Sequence, residues 1–428
     1  MSPALDQARR HLDQKEYEPC FSILRDYWLG RPDDLDVVRL LSRLMSEVGR
    51  SELASHLANL CEHQDRLTHD AQSLFEIGFR FIDERQHELA CMLLTRCLAL
   101  HPEEPLIDYE LGFALMSLRR YAEAIPHFQT ALVRADDFDT RLNLCASYVC
   151  TRQLEKAREM LQAMDRLAEG DEQQRALSHQ TTVVRRMEAL ADRPLLAARD
   201  WLYAQYGTIL LAQSDDPARQ GKFGAIWNDY AGVATVLLML RGLLEGLGVN
   251  FHIVEFYSSL SRPLAECLGE LLDLPVEPYR GPSRAERALL VMAWASDIIG
   301  PHESFIPHME QRSLFAYGLT SEEALPLTPE LVGCLAASCA MPWGERWKVE
   351  TFADGRPAQL HDIGRDDDQT AEASVRLIER ARSLEADPDI LNAVQEAVGY
   401  YSVKQPLLVL GNSQAFLERP EYTAEVPV

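Results

Sequence analysis

The stretch from Ala71 to Asp137 constrains this chain more than any other. Two 34-residue units sit there head to tail, LFEIGFRFIDERQHELACMLLTRCLALHP and DYELGFALMSLRRYAEAIPHFQTALVRAD. Each reads as two amphipathic helices joined by a tight turn. A small residue stands at position 8 of the first helix and Ala at position 20 of the second. Small residues at such positions let paired helices cross closely. Carried outward, the register gives five units. Position 8 is Ala8, Ser42, Gly78, Gly112 and Cys145; position 20 is Cys20, Ala54, Ala90, Ala124 and Ala157. One helix pair cannot bury its own apolar face, so stability has to come from stacking neighbours.

These residues, with Tyr17 and Tyr121 at position 17 and Pro32 and Pro102 ending second helices, make the N-terminal half similar to the tetratricopeptide repeat (TPR) family. The resemblance implies an α solenoid of helical hairpins over residues 1–192, closed by a helical stretch from Glu172 to Ala191. It also implies a protein-binding groove lined by positions 2, 5, 9 and 12 of the first helices. Here those positions supply Arg39, Arg43, Phe75, Phe79, Tyr109, Phe113 and Met116. TPR grooves that grip a C-terminal carboxylate present Lys and Asn at these positions, and both are absent. An apolar groove suits a hydrophobic segment or helix of a partner. The alternative is a stripe covered by the chain's own second half or by another copy.

From about residue 195 the hydrophobic period changes. Apolar runs at 208–213, 250–257, 276–279, 288–295, 347–353 and 406–412 read as strands. Helical stretches read at 229–247, 261–274, 329–340, 369–386 and 388–400. Strands alternating with helices predict an α/β Rossmann-like domain over residues 195–416, with a mostly parallel sheet and helices on both faces. Residues 417–428 read as a polar tail. Ligands of such sheets bind beyond the carboxyl ends of the strands, so the loops 214–224, 257–262, 296–303 and 411–413 are the places to look.

The run IVEFYSSLSRPLAECLGELLDLPVEPY resembles the strand–loop–helix of type I phosphoribosyltransferases, in which backbone N–H groups at a helix start hold pyrophosphate. That resemblance singles out Ser258, Ser259, Ser261, Arg262, Ser296 and Asp297. The chain departs from the family where its acidic pair belongs. Trp294 and Ser296 stand there, and only Asp297 remains, which implies a fold relative that has lost the activity.

Other constellations fall short of a named chemistry. Gly221–Gly224 lacks the rest of a P-loop. His302, Glu303, His308 and Glu310 lack helical ligand spacing, and Pro307 intervenes. Asp366–Asp368 reads as the cap of a following helix. His252 reads as a buried strand residue. No catalytic residue, cofactor or metal is assigned. The net charge of −24 argues against nucleic acid as a partner, because phosphate contacts need Lys and Arg. No signal-like segment opens the chain, and the nearest approach to a membrane span, from Tyr230, stops at Arg241. Nine cysteines without a C-x-x-C pair fit reduced thiols and a cytoplasmic home. The expectation is a cytoplasmic, non-catalytic TPR adaptor or scaffold with one or more protein partners, and self-association is open. The alternatives are an enzyme acting on a nucleotide or sugar phosphate, with the repeats recruiting its substrate, and a chaperone for a secreted or assembling client.

Overall fold

In the computed structural model, residues 2–62, 69–102, 104–212, 225–281, 287–298, 312–320, 325, 328–336, 338–344, 347–350, 359–362 and 367–410 are described. The chain divides into two compact units, Met1–Gln180 and Thr181–Val428.

Among the described residues of the first unit, ten helices pair as five hairpins, TPR-like in pattern: α1 (Pro3–Asp13) with α2 (Tyr17–Gly30), α3 (Leu35–Glu47) with α4 (Ser51–Glu62), α5 (Ala71–Asp83) with α6 (His87–Leu100), α7 (Pro105–Ser117) with α8 (Tyr121–Arg134), and α9 (Phe138–Cys150) with α10 (Leu154–Leu167). α11 (Gly170–Glu188) follows, and its Gln180 donates to the Cys145 thiol at 3.7 Å. Asp34, Asp70 and Asp137 cap first helices, each accepting a backbone N–H of the first turn.

The predicted close crossings are present. Ser42 Oγ donates to Ala54 O at 2.8 Å and Cys145 Sγ to Ala157 O at 3.4 Å, so positions 8 and 20 face one another. At the glycines the tightest neighbour lies four residues beyond position 20. A Cβ on Gly78 would stand 3.0 Å from Leu94, and one on Gly112 would stand 2.9 Å from the Phe128 ring. The glycines make room for those two fully buried side chains.

Every hairpin turns the same way. Lys15, Gly49, Arg85, Arg119 and Arg152 all hold left-handed φ, between +56° and +81°. At the first turn the Lys15 N–H donates to Leu12 O and the Glu16 N–H to His11 O, and the same pair of bonds recurs at the other four. This is the Schellman closure of a helix C-terminus. One contact departs from a plain solenoid, in which a repeat touches only its neighbours. α2 packs on α6, two hairpins on. From α5 of the same hairpin, Phe81 meets the fully buried Trp28 edge-on at 6.1 Å, and from α6 Arg96 donates to Pro32 O at 3.3 Å and pairs with Asp33.

In the second unit, after α12 (Ala198–Tyr206), come β1 (Ile209–Leu210), β2 (Ala225–Trp227), α13 (Tyr230–Leu247), β3 (Ile253–Phe256), α14 (Arg262–Leu272), β4 (Val276–Pro278), β5 (Ala288–Trp294), β6 (Arg312–Leu319), β7 (Leu331–Leu335), β8 (Ser338–Ala340), β9 (Trp347–Glu350), β10 (Gln359–Asp362), α15 (Asp367–Leu384) and α16 (Pro388–Ser402). Six strands form one sheet in the order β1-β7-β6-β5-β3-β4, every neighbouring pair parallel. β2 pairs with β8 in parallel, and β9 with β10 antiparallel. β6 is buried along its whole length and β5 along all but its last residue, as expected of a sheet covered on both faces. α13 is long and apolar enough to cross a membrane by length and composition, yet it packs on β7, α14, α15 and α16 as a core helix. Asp229 caps its start, accepting from Gly232 N–H at 2.7 Å, and Gly248 ends it in the left-handed region.

Four sequence expectations are corrected. Residues 329–340 are the strands β7 and β8, not a helix. A short apolar run buried on all sides has the same periodicity in either form, and Gly333 sits so close to β6 that a Cβ would lie 2.5 Å from Tyr317 O. The described part of the run 406–412, up to Leu410, adds no strand: Gln405–Leu407 is a 3-10 turn. On edge strand β1 the Tyr401 hydroxyl accepts from the Leu210 N–H at 3.0 Å and donates to the Leu210 carbonyl at 3.3 Å. β6 was not anticipated at all, because its first residue is charged. Arg312 is 3% exposed. Its guanidinium bonds Glu255 at 2.6 Å and Gly281 O at 3.0 Å, and it stacks on Tyr279. His252 is exposed just ahead of β3, not buried inside it.

Candidate functional site

First helices touch as α1 with α3 and as α5 with α7 with α9, which lines up positions 2, 5, 9 and 12 of α5, α7 and α9 along one surface. Phe75 and Phe79 stack at 6.2 Å with 25° between ring planes. Phe79 is 37% exposed and Leu106 49%, uncommonly open for such large apolar side chains. Phe113 and Met116 are half-buried. Tyr109 is half-buried and tied in, its hydroxyl accepting from Asn143 at 3.2 Å and its ring edge-on to Phe128. A cleft of about 210 Å³ opens among Ala71, Gln72, Phe75, Cys97, Leu106 and Ile107, with His101 and Glu104 at its lip.

The two arginines at the N-terminal end stand differently. Arg39 donates to Asp36 at 2.8 Å; Arg43 bonds Asp13 at 3.0 Å and Glu47 at 3.1 Å. Both guanidinia already hold carboxylates. A feature missed by sequence reasoning is Glu110, one helical turn beyond Leu106. It is 8% exposed, and burial, with the Asp83 carboxylate adding to it, pushes its carboxyl up to about 7. Position 6 of a first helix is not a usual groove position, so the repeat register gave no signal for it.

A wider cleft, about 760 Å³, lies among α2, α6, α7 and α8, floored by Leu29, Met92, Leu111 and Leu115. On its wall His127 Nδ1 bonds the buried Asp108 at 2.8 Å. Its shape follows from the α2–α6 contact, which no local pattern reveals. Burial pushes the Cys20, Cys91 and Cys97 thiols up to about 11 and those of Cys145 and Cys267 to about 12, the signature of unreactive packing thiols.

In the second unit the chain runs from β3 through α14 to edge strand β4, then continues on the other side of β3 with β5. The order therefore reverses between β3 and β5, and the crevice outside their carboxyl ends is where open α/β sheets hold ligands. Two of the loops named from sequence, 257–262 and 296–303, follow these strands. Their groups are largely occupied with one another. Ser261 is fully buried; its hydroxyl accepts from the N–H groups of Tyr257 at 3.1 Å and Ser258 at 2.9 Å and donates to Ser258 O. Ser259 is exposed and Ser296 half-buried. Arg262 bonds Glu266 at 2.8 Å over the Phe256 ring. Asp297 accepts from Trp294 N–H at 3.3 Å. Burial, then the Asp297 charge, pushes the Tyr257 phenol up to about 12.

Among the described residues no group of three or more His, Cys, Asp and Glu could hold a metal ion. The loop 213–224, His302, Glu303, His308, Glu310, Asp366 and the segment from 411 onward lie outside the described residues.

The two units thus define a class: stacked TPR-like helical hairpins, and an α/β unit with a parallel sheet. No protein-family model matches the sequence, and no curated protein matches it. Solved structures similar to it include MamA from AMB-1, at 22% identity over 39% of this chain and 91% of that one with a TM-score of 0.27. Others are MamA from MSR-1, at 21% identity over 37% and 90% with a TM-score of 0.23, and PilF of Pseudomonas aeruginosa, at 17% over 44% and 85% with a TM-score of 0.28.

Proposed function

We propose that residues 1–180 capture a segment of another polypeptide in the trough formed by the first helices, making the protein an adaptor or scaffold. The observation that carries this reading is the pairing of exposed Phe79 and Leu106 with an open apolar cleft beside Phe75. Isolated exposed apolar side chains are ordinary; a contiguous patch with a cavity is a contact surface. The contacts are carried by Phe75, Phe79, Tyr109, Phe113 and Met116, with Arg39 and Arg43 at the far end steering through their carboxylate pairs. The unreactive, buried thiols fit a reducing, cytoplasmic setting. The test is Phe79→Glu with Phe113→Glu in the full chain, with folding checked by circular dichroism. Partners captured from a lysate by the native protein are lost by the double variant; recovery of the same partners in equal amount removes the trough from consideration.

A second reading concerns residues 181–428. The reversal of strand order between β3 and β5 favours a ligand site there, and the loop after β3 suits a nucleotide or sugar phosphate at the start of α14. The adaptor reading takes this unit as non-catalytic. A ligand that binds only the folded state raises its melting temperature. A thermal-shift panel of nucleoside mono- and diphosphates and sugar phosphates separates the two: a rise of several degrees with one of them supports the ligand site, and no shift at millimolar concentration removes it.

A further inference from the structure

The trough is apolar along its centre, and the cations at its N-terminal end, Arg39 and Arg43, already hold carboxylates. Glu110 lies on α7 four residues after Leu106 and three before Phe113, so these three share one stripe of the helix. Its carboxyl has no hydrogen-bond or ion-pair partner among the described residues. The charge that acts on it from α5 is Asp83, a second carboxylate, at the helix end where the backbone dipole is also negative. Arg80, one turn back on α5, bonds Glu52 at 2.6 Å and lies 3.5 Å from Asp83, so it is engaged on that side. From α9, Asp137 and Asp139 join Glu110 in raising the Tyr109 phenol after burial itself. Asp137 is held by the start of α9. On α7, α8 and the turn between them the charged pairs are Asp108 with His127 and Arg120 with Glu123. Among the described residues, the charge that bears on the Glu110 carboxyl is that of Asp83. A buried carboxylate without a counter-charge is an unfavourable arrangement for the protein alone.

We infer that the segment held in the trough carries a large apolar side chain and a Lys or Arg one helical turn apart, the apolar group entering the Phe75/Leu106 cleft and the cation seating against Glu110 and Asp83. This rests on the proposal that the trough binds a polypeptide, and it specifies that polypeptide's chemistry. The cleft of about 210 Å³ takes a single Leu, Met or Phe side chain. From Leu106 to Glu110 is a rise of about 6 Å along α7. A partner matches that spacing with residues four apart on a helix, or two apart on an extended strand. Seating the cation supplies the missing counter-charge, so that charge sets specificity and arrival rate while the apolar anchor supplies most of the contact. An acidic segment is excluded by repulsion from Glu110, Asp83 and Asp139 together.

The test uses three fluorescent helical 16-residue peptides against the full chain, read by anisotropy. The first repeats Leu and Lys four apart; the second has Glu for every Lys; the third has Ser for every Leu. The Leu/Lys peptide binds at least tenfold tighter than either other peptide. It also binds about tenfold tighter at pH 8 than at pH 6, because Glu110 holds its proton below pH 7 and then offers no charge. In Glu110→Gln that affinity falls about fivefold to tenfold at pH 8 and the pH dependence flattens, which assigns the dependence to Glu110. Equal binding of the Leu/Glu peptide, or an unaltered pH profile in Glu110→Gln, overturns the cation seat and leaves the trough standing. Equal binding of the Ser/Lys peptide overturns it too, since attraction to an acidic surface would then suffice. The trough itself fails if Phe79→Asn with Leu106→Asn, two exposed positions that fold without difficulty, binds the Leu/Lys peptide as the native protein does.

Discussion

Glu110 shows how much one residue's surroundings can differ from what its type prefers. A carboxylate outside a protein ionises near pH 4.5; here burial and Asp83 move that to about 7. Because the folded state holds the proton more tightly than the unfolded chain, Glu110's contribution is fully present below pH 4.5 and is lost as pH rises through 7. Glu110→Gln, neutral throughout, is therefore expected to be more stable than the native protein above pH 7, by up to about 3 kcal/mol, with the difference vanishing towards pH 4.5. Urea denaturation of both proteins at pH 4.5, 6 and 8 checks this; a constant difference across that range contradicts it. At the same scale the sequence showed that Gly78 and Gly112 must be small but not what they make room for. The neighbours are Leu94 and Phe128, and only the rotation of the second helix decides which of its residues comes closest.

Among the elements, the hairpin turns carry a cost that the sequence could have disclosed. Lys15, Arg85, Arg119 and Arg152 fall at the register position that Gly49 occupies in the second hairpin, and all five are left-handed. An L side chain there costs about 1–2 kcal/mol, and Gly removes that at a somewhat smaller entropic cost. Each of the four changes to Gly is expected to stabilise the first unit by about 0.5 kcal/mol, seen as a rise in urea midpoint at constant slope. A fall at any of the four would mean that the side chain makes a contact worth more than the strain. A basic residue at the end of a first helix also faces the negative end of its dipole, a partial offset that keeps the expected gain small. Helices α13, α14, α15 and α16 were legible because each carries a periodic stripe or a recognisable cap, such as Asp229 and Asp387. β6 and β7 were not. The first opens on Arg312, whose charge is answered by Glu255 from 57 positions earlier. The second is an apolar run that only its neighbours turn into a strand.

For the whole molecule, legibility follows sequence separation. The hairpins pair residues a few tens of positions apart, and the same small-residue register repeats five times, so the solenoid pattern could be read from the chain alone. The sheet joins β1 to β7, placing Ile209 beside Leu331, and no local pattern records such a pairing. The loops after β3 and β5 were named from the strands that precede them, while the reversal of strand order that places them at one crevice is a property of the assembled sheet. The trough's aromatic residues came from the register. That Arg39 and Arg43 are already paired, and that Glu110 is not, came from how neighbouring helices approach. The sequence by itself indicated stacked helical hairpins in the N-terminal part of the chain, read as residues 1–192, because close crossings at small residues are imposed locally and repeat. Tertiary structure alone decided the strand order, the skipped contact of α2 on α6 and the burial of Glu110 under the influence of Asp83, because each depends on groups that meet only after distant parts of the chain have packed.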